Sequence, residues 1–474
     1  MTYDPRFRRT KLIATIGPAS SSREMLGRLI EAGVNVFRIN SSHGTPEERA
    51  GRMDLVRAVR EEAGRHVALL VDLQGPRIRV GELKAPRTLE PGSEVVFAPE
   101  GEAKPGEIPT TYAALAEDVK PGARILLDDG MLETHVTRVV GRRVHATVRH
   151  GGQLKSQKGM NLPGVQVSAP AVTDKDREDV ALALAHGADY VAVSFVRRAA
   201  DMVAVRSLVP ATVRLVAKIE KAAALADLEG IIDASDAIMV ARGDLGVELP
   251  FEEVPLVQKR VISEANRRGR AVITATQMLE SMVQNPRPTR AEASDVANAI
   301  LDGTDTVMLS AETAAGQYPV EAAEAMVRII HEIERARMDG RHRGRFAPGE
   351  GSGAPSVEDA IALATVDAAE MLRVPLVVCF TRSGFTPRKV SALRPGMPIL
   401  GLSTEASTCR HLALVWGVIP ELADRVPNYD AMLDVARETL LARGFVKPGD
   451  RIVVTAGVPF EVPGTTNILK VETV

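Results

Sequence analysis

The feature that most constrains the fold of this chain is a repeated pairing of a short apolar run with an amphipathic stretch. Eight such runs close on polar residues, and their β-branched content is typical of buried parallel strands. The stretches between them, such as Ser22–Ala32, Asp176–His186 and Pro255–Arg268, are predicted to be helices. Eight strand–helix units are the number found in a TIM (β/α)8 barrel, which we predict here. The predicted strands are Lys11–Gly17, Val34–Asn40, Val67–Asp72, Tyr190–Val196, Leu215–Glu220, Ala237–Ala241, Ala271–Thr276 and Asp305–Ser310.

One interval breaks this rhythm, because the distance from Asp72 to Tyr190 is far longer than a single crossover needs. Short strand-like runs with Gly, Pro and Asp turns fill it, and Val139–Val144 is predicted to be a hairpin. We predict that residues 76–170 form a small β-barrel domain inserted after the third strand. An insertion there would cover the mouth of the main barrel as a lid. The runs are Glu94–Ala98, Arg124–Leu127, Leu132–Val140 and Arg143–Arg149.

The C-terminal part of the chain predicts a separate α/β domain. Arg337–Pro355 is rich in Gly, Arg and Pro and is predicted to be a linker. A capping box at Ser356 and Asp359 starts the predicted helix Val357–Leu372. Further strands are predicted at Leu376–Phe380, Ile399–Leu402, Ile452–Thr455 and Ile468–Val471. The predicted domains are therefore 1–75 with 171–338 for the barrel, 76–170 for the lid and 350–474 for the C-terminal domain.

The composition excludes several classes of protein. The 59 basic and 61 acidic residues give a net charge of -2, which offers no electrostatic footprint for nucleic acid or a membrane surface. No apolar run approaches the roughly 20 residues of a membrane span, and Met1–Lys11 lacks the apolar core of a secretory signal. The two cysteines, Cys379 and Cys409, are too few for a disulfide framework. We therefore expect a cytoplasmic protein without nucleic-acid or membrane partners.

Charged and hydroxyl side chains cluster at the carboxyl ends of the predicted barrel strands, where TIM-barrel chemistry takes place. Lys218 and Glu220 are two residues apart in one strand, so both point to the same face. Asp244 follows the next strand. A lysine beside two carboxylates suits a divalent metal with an anionic substrate bridged between them, whereas a half-buried ion pair is the structural alternative. Other strand ends supply Arg38, Asn40, Ser42, His43, Asp72, Thr276 and Ser310.

Six motifs of this chain resemble the pyruvate kinase family, in the same order and from Lys11 to the C-terminus. The resemblance implies the three-domain plan predicted above, with a C-terminal regulatory domain, and a homotetramer. The chain has neither a Walker A loop nor a dinucleotide fingerprint, so any nucleotide must be bound by other means. The motifs are Thr10–Ser20, Arg38–Gly44, Lys158–Gly164, Met239–Gly246, Ala275–Ser281 and Pro286–Glu292.

The resemblance implies that the chain transfers the phosphoryl group of phosphoenolpyruvate to ADP, giving ATP and pyruvate. Lys218 would stabilise the charge on the transferring phosphoryl group and on the enolate, and Arg38 would contact phosphate. The backbone around Gly243–Asp244 and the Thr276 hydroxyl would hold the substrate carboxylate. Thr276 would also lie where the enolate carbon is protonated, and Ser310 would belong to the same relay.

The resemblance also assigns ligands for the metal and for the nucleotide. Glu220 and Asp244 would hold Mg2+ or Mn2+. The residues expected to meet the nucleotide and its phosphates are Asn40, His43, Arg79 and Lys158, the last of them supplied by the lid.

The family's monovalent-cation site corresponds to Asn40, Ser42, Asp72 and Leu73. Potassium-dependent members typically continue Thr-Lys-Gly-Pro-Glu after the aspartate, whereas this chain continues Leu-Gln-Gly-Pro-Arg. Arg77 therefore stands at the glutamate position, where a guanidinium can place the positive charge that K+ would otherwise supply. We predict activity that does not depend on K+.

The segment Thr381–Thr386 resembles the family's effector loop, in which small hydroxyls and a glycine present N–H groups to a phosphate. An ordinary strand-to-helix turn is the alternative. The effector could be a sugar bisphosphate, a sugar monophosphate or AMP. Glu461 in the segment Ala456–Gly464 would weaken the second phosphate contact of a bisphosphate. The candidate effector residues are Thr381, Arg382, Ser383, Gly384 and Thr386.

Several candidates also have a purely structural explanation. Thr276 and Ser310 could be strand-end hydroxyls that bond the backbone. Arg242 and Glu312 are expected to form scaffold ion pairs. His43 could be structural, Arg79 could be a solvated charge at the hinge, and Thr289–Glu292 is predicted to be a helix capping box.

Three other functions remain open on the sequence. A Mg2+-dependent enolate lyase or aldolase would use the same carboxylates, and ADP-dependent turnover would separate it from a kinase. A Schiff-base aldolase would need a neutral, nucleophilic Lys218, which Glu220 beside it disfavours. A binding protein without activity should have lost chemical residues, but the principal ones are present.

Overall fold

The first part of the chain builds three strands of a barrel. The computed structural model describes residues 7–338, 356–424, 429–457 and 466–474. A short 3-10 turn follows the first strand, and two helices start with N-caps from Ser22 and Thr45. The elements are β1 (Lys11–Ile16), α1 (Arg23–Glu31), β2 (Val36–Asn40), α2 (Pro46–Glu62) and β3 (Ala68–Asp72).

The lid follows β3. Its strands form a six-stranded sheet, in the order β11-β7-β8-β9-β5-β6, and a two-stranded sheet of β10 and β4. Both sheets contribute to one apolar core, which includes Leu89, Phe97 and Leu154. The elements are β4 (Arg87–Leu89), β5 (Glu94–Pro99), β6 (Ile108–Thr110), α3 (Leu115–Asp118), β7 (Arg124–Leu127), β8 (Leu132–Val140), β9 (Arg143–His150), β10 (Gly152–Leu154) and β11 (Met160–Asn161).

The chain then returns to the barrel and completes it with five further strands. The elements are α4 (Asp174–Ala185), β12 (Tyr190–Val193), α5 (Ala199–Arg206), β13 (Arg214–Ile219), α6 (Leu228–Asp233), β14 (Ala237–Ala241), α7 (Arg242–Glu248), α8 (Val254–Arg267), β15 (Ala271–Ala275), α9 (Arg290–Asp302), β16 (Thr306–Leu309), α10 (Ala311–Ala314) and α11 (Pro319–Met338).

The eight barrel strands close in the order β1-β16-β15-β14-β13-β12-β3-β2, all parallel, as predicted. Side chains along each strand point alternately into the barrel and outward towards the helices, which gives two separate apolar cores. Ile13 and Val216 belong to the set that fills the barrel, whereas Leu12 and Ala217 pack outward with the helices. This parity carries through to the strand ends, so a residue two positions after Val216 faces the inside of the mouth.

The C-terminal domain is a five-stranded sheet in the order β19-β18-β17-β20-β21, with only β21 antiparallel to its neighbour. The capping box at Ser356 is formed, and the predicted helix Val357–Leu372 is confirmed. The elements are α12 (Val357–Leu372), β17 (Val377–Phe380), α13 (Phe385–Ala392), β18 (Ile399–Ser403), α14 (Ala406–Leu412), β19 (Val418–Leu422), α15 (Tyr429–Ala442), β20 (Arg451–Ala456) and β21 (Ile468–Thr473).

Five strands have no counterpart in the sequence prediction. Four of them are the lid strands β4, β6, β10 and β11, each only two or three residues long, which is too short for alternation to be recognised. The fifth, β19, contains Pro420, and proline is tolerated there because β19 lies at the edge of its sheet. Within the described part of the chain, no helix is both long enough and apolar enough to cross a membrane.

Candidate active site

Lys218 lies at the centre of the barrel mouth. It is two residues after the inward-facing Val216, so its side chain points into the barrel. Its ammonium contacts Glu220 Oε1 at 2.7 Å, Ser194 Oγ at 2.8 Å and Asp72 Oδ1 at 3.2 Å. Burial opposes its charge, but the two carboxylates outweigh burial and raise the pKa of Lys218 above its ordinary value. The side chain is therefore a fixed cation and not the neutral amine that Schiff-base chemistry needs.

Arg38 and Asp72 form a second buried pair beside this lysine. The Arg38 guanidinium donates from Nε to Asp72 Oδ2 at 2.8 Å and lies 2.7 Å from the same oxygen through Nη2. Its Nη1 donates to Thr15 Oγ1 at 3.0 Å. Burial by itself raises the pKa of the Asp72 carboxyl, but Lys218 and Arg38 outweigh it and lower that pKa. Asp72 therefore holds two cations at the end of β3, both facing the mouth.

Glu220 and Asp244 are the two carboxylates predicted to bind a metal. Glu220 is 1% exposed, and its Oε2 accepts the Phe195 N–H at 2.8 Å. Burial raises the pKa of Glu220, and the negative charge of Asp244 raises it further against the attraction of Lys218. The two carboxylates are thus close enough to repel each other, and their oxygen donors suit Mg2+ or Mn2+. No group of three or more His, Cys, Asp or Glu gathers among the residues that the structure describes, so substrate and water would complete the coordination.

Thr276 lies at the end of β15 in a left-handed conformation, with φ of +67°, which is rare for a β-branched residue. Its hydroxyl donates to the Ala275 carbonyl at 2.6 Å and accepts the Gly243 N–H at 2.8 Å. Arg242 donates to the Thr276 carbonyl at 2.8 Å and pairs with Asp295 at 2.6 Å. The hydroxyl is bonded to backbone, as the structural explanation expects, and it also lies at the start of α7 next to Asp244.

Ser310 follows β16, and its buried hydroxyl has no hydrogen-bond partner among the described residues. Its N–H donates to Glu312 Oε2 at 2.6 Å, and Glu312 Oε1 accepts the Leu279 N–H at 3.0 Å. The expected scaffold ion pair of Glu312 is therefore wrong, since this fully buried carboxylate is held by backbone N–H groups. The expected ion pair of Arg242 and the capping box at Thr289–Glu292 are both confirmed.

On the barrel side, Asn40 is the last residue of β2 and His43 lies in the turn after it. The Asn40 side-chain oxygen accepts the Ser42 N–H at 3.0 Å and so shapes this turn. Burial lowers the pKa of His43, and positive charges around it lower the pKa further. The surroundings of His43 are thus strongly cationic, which favours bound phosphate. The contributing cations are Arg77, Arg38, Arg79 and Arg52.

On the lid side, the charge of Arg79 acts on His43, whereas Lys158 is paired within the lid. The buried Nε of Arg79 lacks a partner among the described residues. The Lys158 ammonium lies 2.7 Å from Asp128 Oδ1, and this contact raises the pKa of Lys158. Between lid and barrel lies a cavity of about 260 Å³, which is lined by residues of both, including Arg77, Asp129 and Asp244.

Three of the four residues of the predicted monovalent-cation site, Asn40, Asp72 and Leu73, have oxygen atoms engaged within the protein. The Leu73 carbonyl accepts the Ser194 hydroxyl at 2.8 Å, and the Asn40 oxygen is bonded to Ser42 as described above. Both carboxylate oxygens of Asp72 contact cations. Arg77 is exposed. Its guanidinium lies near Gly159 of the lid, since a Cβ added to that glycine would be 3.7 Å from Arg77 Nη2.

The predicted effector residues lie at the opposite end of the barrel, between β17 and α13. Gly384 has φ of +77° and caps α13, and its N–H donates to Thr381 Oγ1 at 2.9 Å. Thr386 is bonded through its hydroxyl to Thr466 at 2.7 Å. The Ser383 carbonyl lies 3.4 Å from Arg214 Nη2 at the start of β13. Glu461 lies outside the described residues.

Sequence reasoning missed three residues of the mouth. Ser194 and Phe195 follow β12, and Thr15 lies in β1. The predictions from sequence name no candidate residue at the carboxyl end of either strand. Ser194 contacts Lys218, Phe195 holds Glu220 from a left-handed backbone with φ of +58°, and Thr15 holds Arg38. The rule that barrel chemistry lies at strand ends predicts all of them, if it is applied to all eight strands.

A closed barrel with a charged lysine, a buried arginine and several carboxylates at its mouth, beneath an inserted β domain, defines an enzyme that acts on an anionic substrate. Family models narrow this class. The model described as pyruvate kinase, barrel domain, matches residues 7–323, and the model described as pyruvate kinase, alpha/beta domain, matches residues 359–472. The chain belongs to the pyruvate kinase family and is therefore a phosphotransferase.

Individual relatives agree. The pyruvate kinase of Geobacillus stearothermophilus is 46% identical over 475 residues, covering 98% of this chain and 80% of the relative. That of Staphylococcus saprophyticus is 45% identical with the same coverage. A crystal structure of a pyruvate kinase from Cryptosporidium parvum superposes with a TM-score of 0.91 at 32% identity, covering 98% of this chain and 96% of that one. The predicted family and fold class are confirmed.

Proposed function

We propose that the chain transfers the phosphoryl group of phosphoenolpyruvate to ADP and then protonates the enolate to pyruvate. The observation that carries this proposal is the position of Lys218, a fixed cation between Asp72, Ser194 and Glu220 at the centre of the mouth. Phosphoryl transfer needs positioned positive charge more than covalent chemistry. Lys218 and Arg38 supply this charge from rigid strand ends, so little reorganisation is needed during the reaction.

Glu220 and Asp244 would hold a divalent ion, Mg2+ or Mn2+, which when bound supplies positive charge beside the phosphoryl and enolate oxygens. Two mutually repelling carboxylates in a buried mouth support this assignment. The Lys218 ammonium lies 2.7 Å from Glu220, so the lysine and a bound ion would both place positive charge beside the substrate.

The substrate carboxylate would lie at the start of α7, where the Gly243 N–H meets the Thr276 hydroxyl at 2.8 Å. Its binding there would release Thr276 to reach the enolate face. The Ser310 hydroxyl, which has no partner among the residues that the structure describes, lies at the next strand end and would complete the path by which a proton reaches the carbon. The nucleotide phosphates would occupy the cationic region around His43, between Asn40 and the lid residues Arg79 and Lys158.

We further propose that activity does not need K+. Arg77 contributes to the positive field at His43, so a fixed cation already acts where the nucleotide phosphates would bind. The oxygens of Asn40, Asp72 and Leu73 are occupied by protein donors, which leaves them less available to a bound monovalent ion.

Regulation and assembly follow the family. The loop Thr381–Thr386 would bind a phosphorylated metabolite through the N–H groups that start α13. The homotetramer is proposed by resemblance to the family alone. The two buried, unpaired cysteines fit a reducing cytoplasm.

The decisive experiment measures pyruvate formation from phosphoenolpyruvate, ADP and Mg2+ in K+-free and K+-supplemented buffers. Turnover in both buffers supports the full proposal. Turnover only with K+ keeps the reaction and discards the role of Arg77. Absence of ADP-dependent turnover in either buffer, with AMP or sugar phosphates added, would favour the enolate-lyase alternative.

A further inference from the structure

Glu248 is a buried carboxylate in the active-site cleft. The proposed phosphoryl transfer assigns it no role. It ends α7, the helix whose first turn contains Gly243 and Asp244, and it is 6% exposed. The Lys221 ammonium contacts its Oε1 at 2.5 Å, and Asn161 of the lid donates from Nδ2 to the same oxygen at 3.5 Å. One oxygen therefore joins the barrel to the lid.

A chain of contacts leads from this carboxylate to a proposed metal ligand. Lys221 lies 5.3 Å from the centre of the Phe195 ring, within the range of a cation–π contact. The Phe195 N–H donates to Glu220 Oε2 at 2.8 Å from a left-handed backbone. Lys221 also follows Glu220 directly in sequence. Glu248 is thus linked to Glu220 through the Lys221 side chain and then the ring and backbone N–H of Phe195, and to Asp244 through one turn of its own helix.

The lid approaches α7 at a second point. A Cβ at Gly130, in the turn between β7 and β8, would lie 3.7 Å from Val247 Cγ1. The same turn carries Asp128 and Asp129, consecutive residues with φ of 52° and 54°. Asp129 lines the cleft together with Glu248. The lid therefore lies close to the last turn of the helix whose first turn presents Asp244.

We propose that Glu248 is a positioning residue that couples the seating of the lid to the geometry of Glu220 and Asp244. The inference rests on the proposed metal-binding role of those two carboxylates. At 3.5 Å the Asn161 bond is long, and it would shorten as the lid closes over substrates. A lid held against Glu248 fixes α7 and Lys221, and through them both metal-binding carboxylates. By linkage, a bound metal must then favour the seated lid to the same extent.

The test uses Asn161→Ala, which removes the lid's donor without touching the barrel. The half-saturating Mg2+ concentration at saturating phosphoenolpyruvate and ADP should rise about three- to tenfold, the size of one ordinary hydrogen bond, because the Asn161 bond is long. Mn2+ affinity, measured by electron paramagnetic resonance with phosphoenolpyruvate present, should weaken by a similar factor. Glu248→Gln should act in the same direction, and since Asn161→Ala spares the core, the test survives if Glu248→Gln fails to fold.

The reciprocal readout does not depend on activity. In the parent enzyme, Mn2+ should slow amide hydrogen exchange in the lid hinge around residues 166–172, and Asn161→Ala should lose this protection. The control is Gln153→Ala, which removes an exposed carboxamide on β10, away from the cleft. It should leave both the metal dependence and the exchange unchanged.

Two failures can be told apart. If Asp244→Asn keeps the parent affinity for Mn2+, the metal assignment is wrong and this inference falls with it. If Asp244→Asn abolishes Mn2+ binding while Asn161→Ala matches Gln153→Ala in every readout, the metal assignment stands and the coupling through Glu248 is wrong.

Discussion

The two ends of the barrel both bury charged side chains, but they satisfy them differently. At the base, Asp189 is shared by Arg60 at 3.0 Å, by Arg410 of the C-terminal domain at 2.6 Å and by the Leu69 N–H at 2.9 Å. Asp305 likewise binds Arg394 at 2.9 Å and the Val272 N–H at 2.9 Å. Each acid has fixed partners, and the pairs join the two domains.

At the mouth, the buried carboxylates share their positively charged partners. Asp72 and Glu220 share one lysine, Asp244 repels Glu220, and the Ser310 hydroxyl is left without a partner among the described residues. Phe195 and Thr276 hold strained left-handed backbones at the same level. The comparison teaches that buried charge alone does not mark a functional site. At the mouth, in contrast to Asp189 and Asp305, like charges lie beside each other next to strained backbones, and substrates would supply the missing partners there.

The largest expected effect separates the two ends by activity. Lys218→Met removes the central cation of the mouth and should lower kcat by about 10³-fold, because charge positioned for the transition state is lost. The measurement is steady-state pyruvate formation, with circular dichroism to confirm folding. A variant that retains more than a tenth of the parent kcat would remove Lys218 from the proposed mechanism.

The matching change at the base should affect stability instead. Arg394→Met leaves Asp305 buried without its partner, where the two side chains are 2% and 5% exposed, and should cost about 3–5 kcal/mol. The guanidinium also lies 4.9 Å from the ring centre of Trp416, the chain's only tryptophan. Unfolding of this contact can therefore be followed by tryptophan fluorescence in urea.

The control for this variant is Arg328→Met, which breaks an exposed pair with Glu324 at 3.8 Å and should change stability by less than about 0.5 kcal/mol. Both variants should keep the parent kcat below their unfolding transitions. A loss of kcat in Arg394→Met without a shift of the urea midpoint would mean that the base takes part in catalysis.

A smaller effect is expected at the edge of the mouth. Arg77→Glu restores the acidic residue that potassium-dependent members carry and should reduce K+-free activity by about tenfold, or ~1.4 kcal/mol of transition-state stabilisation. Added K+ should recover most of the loss, whereas Arg77→Lys should stay independent of K+. Equal K+ responses in Arg77→Glu and the parent enzyme would show that position 77 does not set cation dependence.

The sequence predicts those parts of the fold and of the candidate site that leave a local pattern of residues. The barrel strands were predictable because each is a continuous apolar run, and Lys218 with Glu220 because a strand alternates with period two. The contacts that connect Glu248 to the lid could not be predicted from the sequence. Glu248, Lys221 and Asn161 meet only after a helix, a strand end and an inserted domain are packed together. The left-handed conformation of Phe195 likewise has no sequence signal, because it is imposed by tertiary packing.

The last expected effect changes only the pH dependence of stability and concerns the second buried lysine, which makes the contrast between the two ends most direct. Lys218 at the mouth is held charged by two carboxylates, whereas Lys11 at the base donates to a neutral acceptor, the Val418 carbonyl, at 2.7 Å. Burial and the positive charge of Arg8 lower the pKa of Lys11 to about 7, although the negative charges of Glu334 and Asp305 act in the opposite direction.

In the unfolded chain this lysine keeps its proton up to a pH of about 10.4. Between pH 7 and 10 the unfolded state therefore binds more protons than the folded state, so the contribution of Lys11 makes stability rise with pH; below pH 7 both states are protonated and the contribution is constant. Lys11→Met should remove this rise, and Lys259→Met, at an exposed lysine, should keep it. Urea midpoints from Trp416 fluorescence between pH 6.5 and 9 provide the measurement. Parallel curves for Lys11→Met and the parent enzyme would mean that Lys11 stays charged in the fold, and that the base, like the mouth, supplies enough negative charge to hold a buried cation.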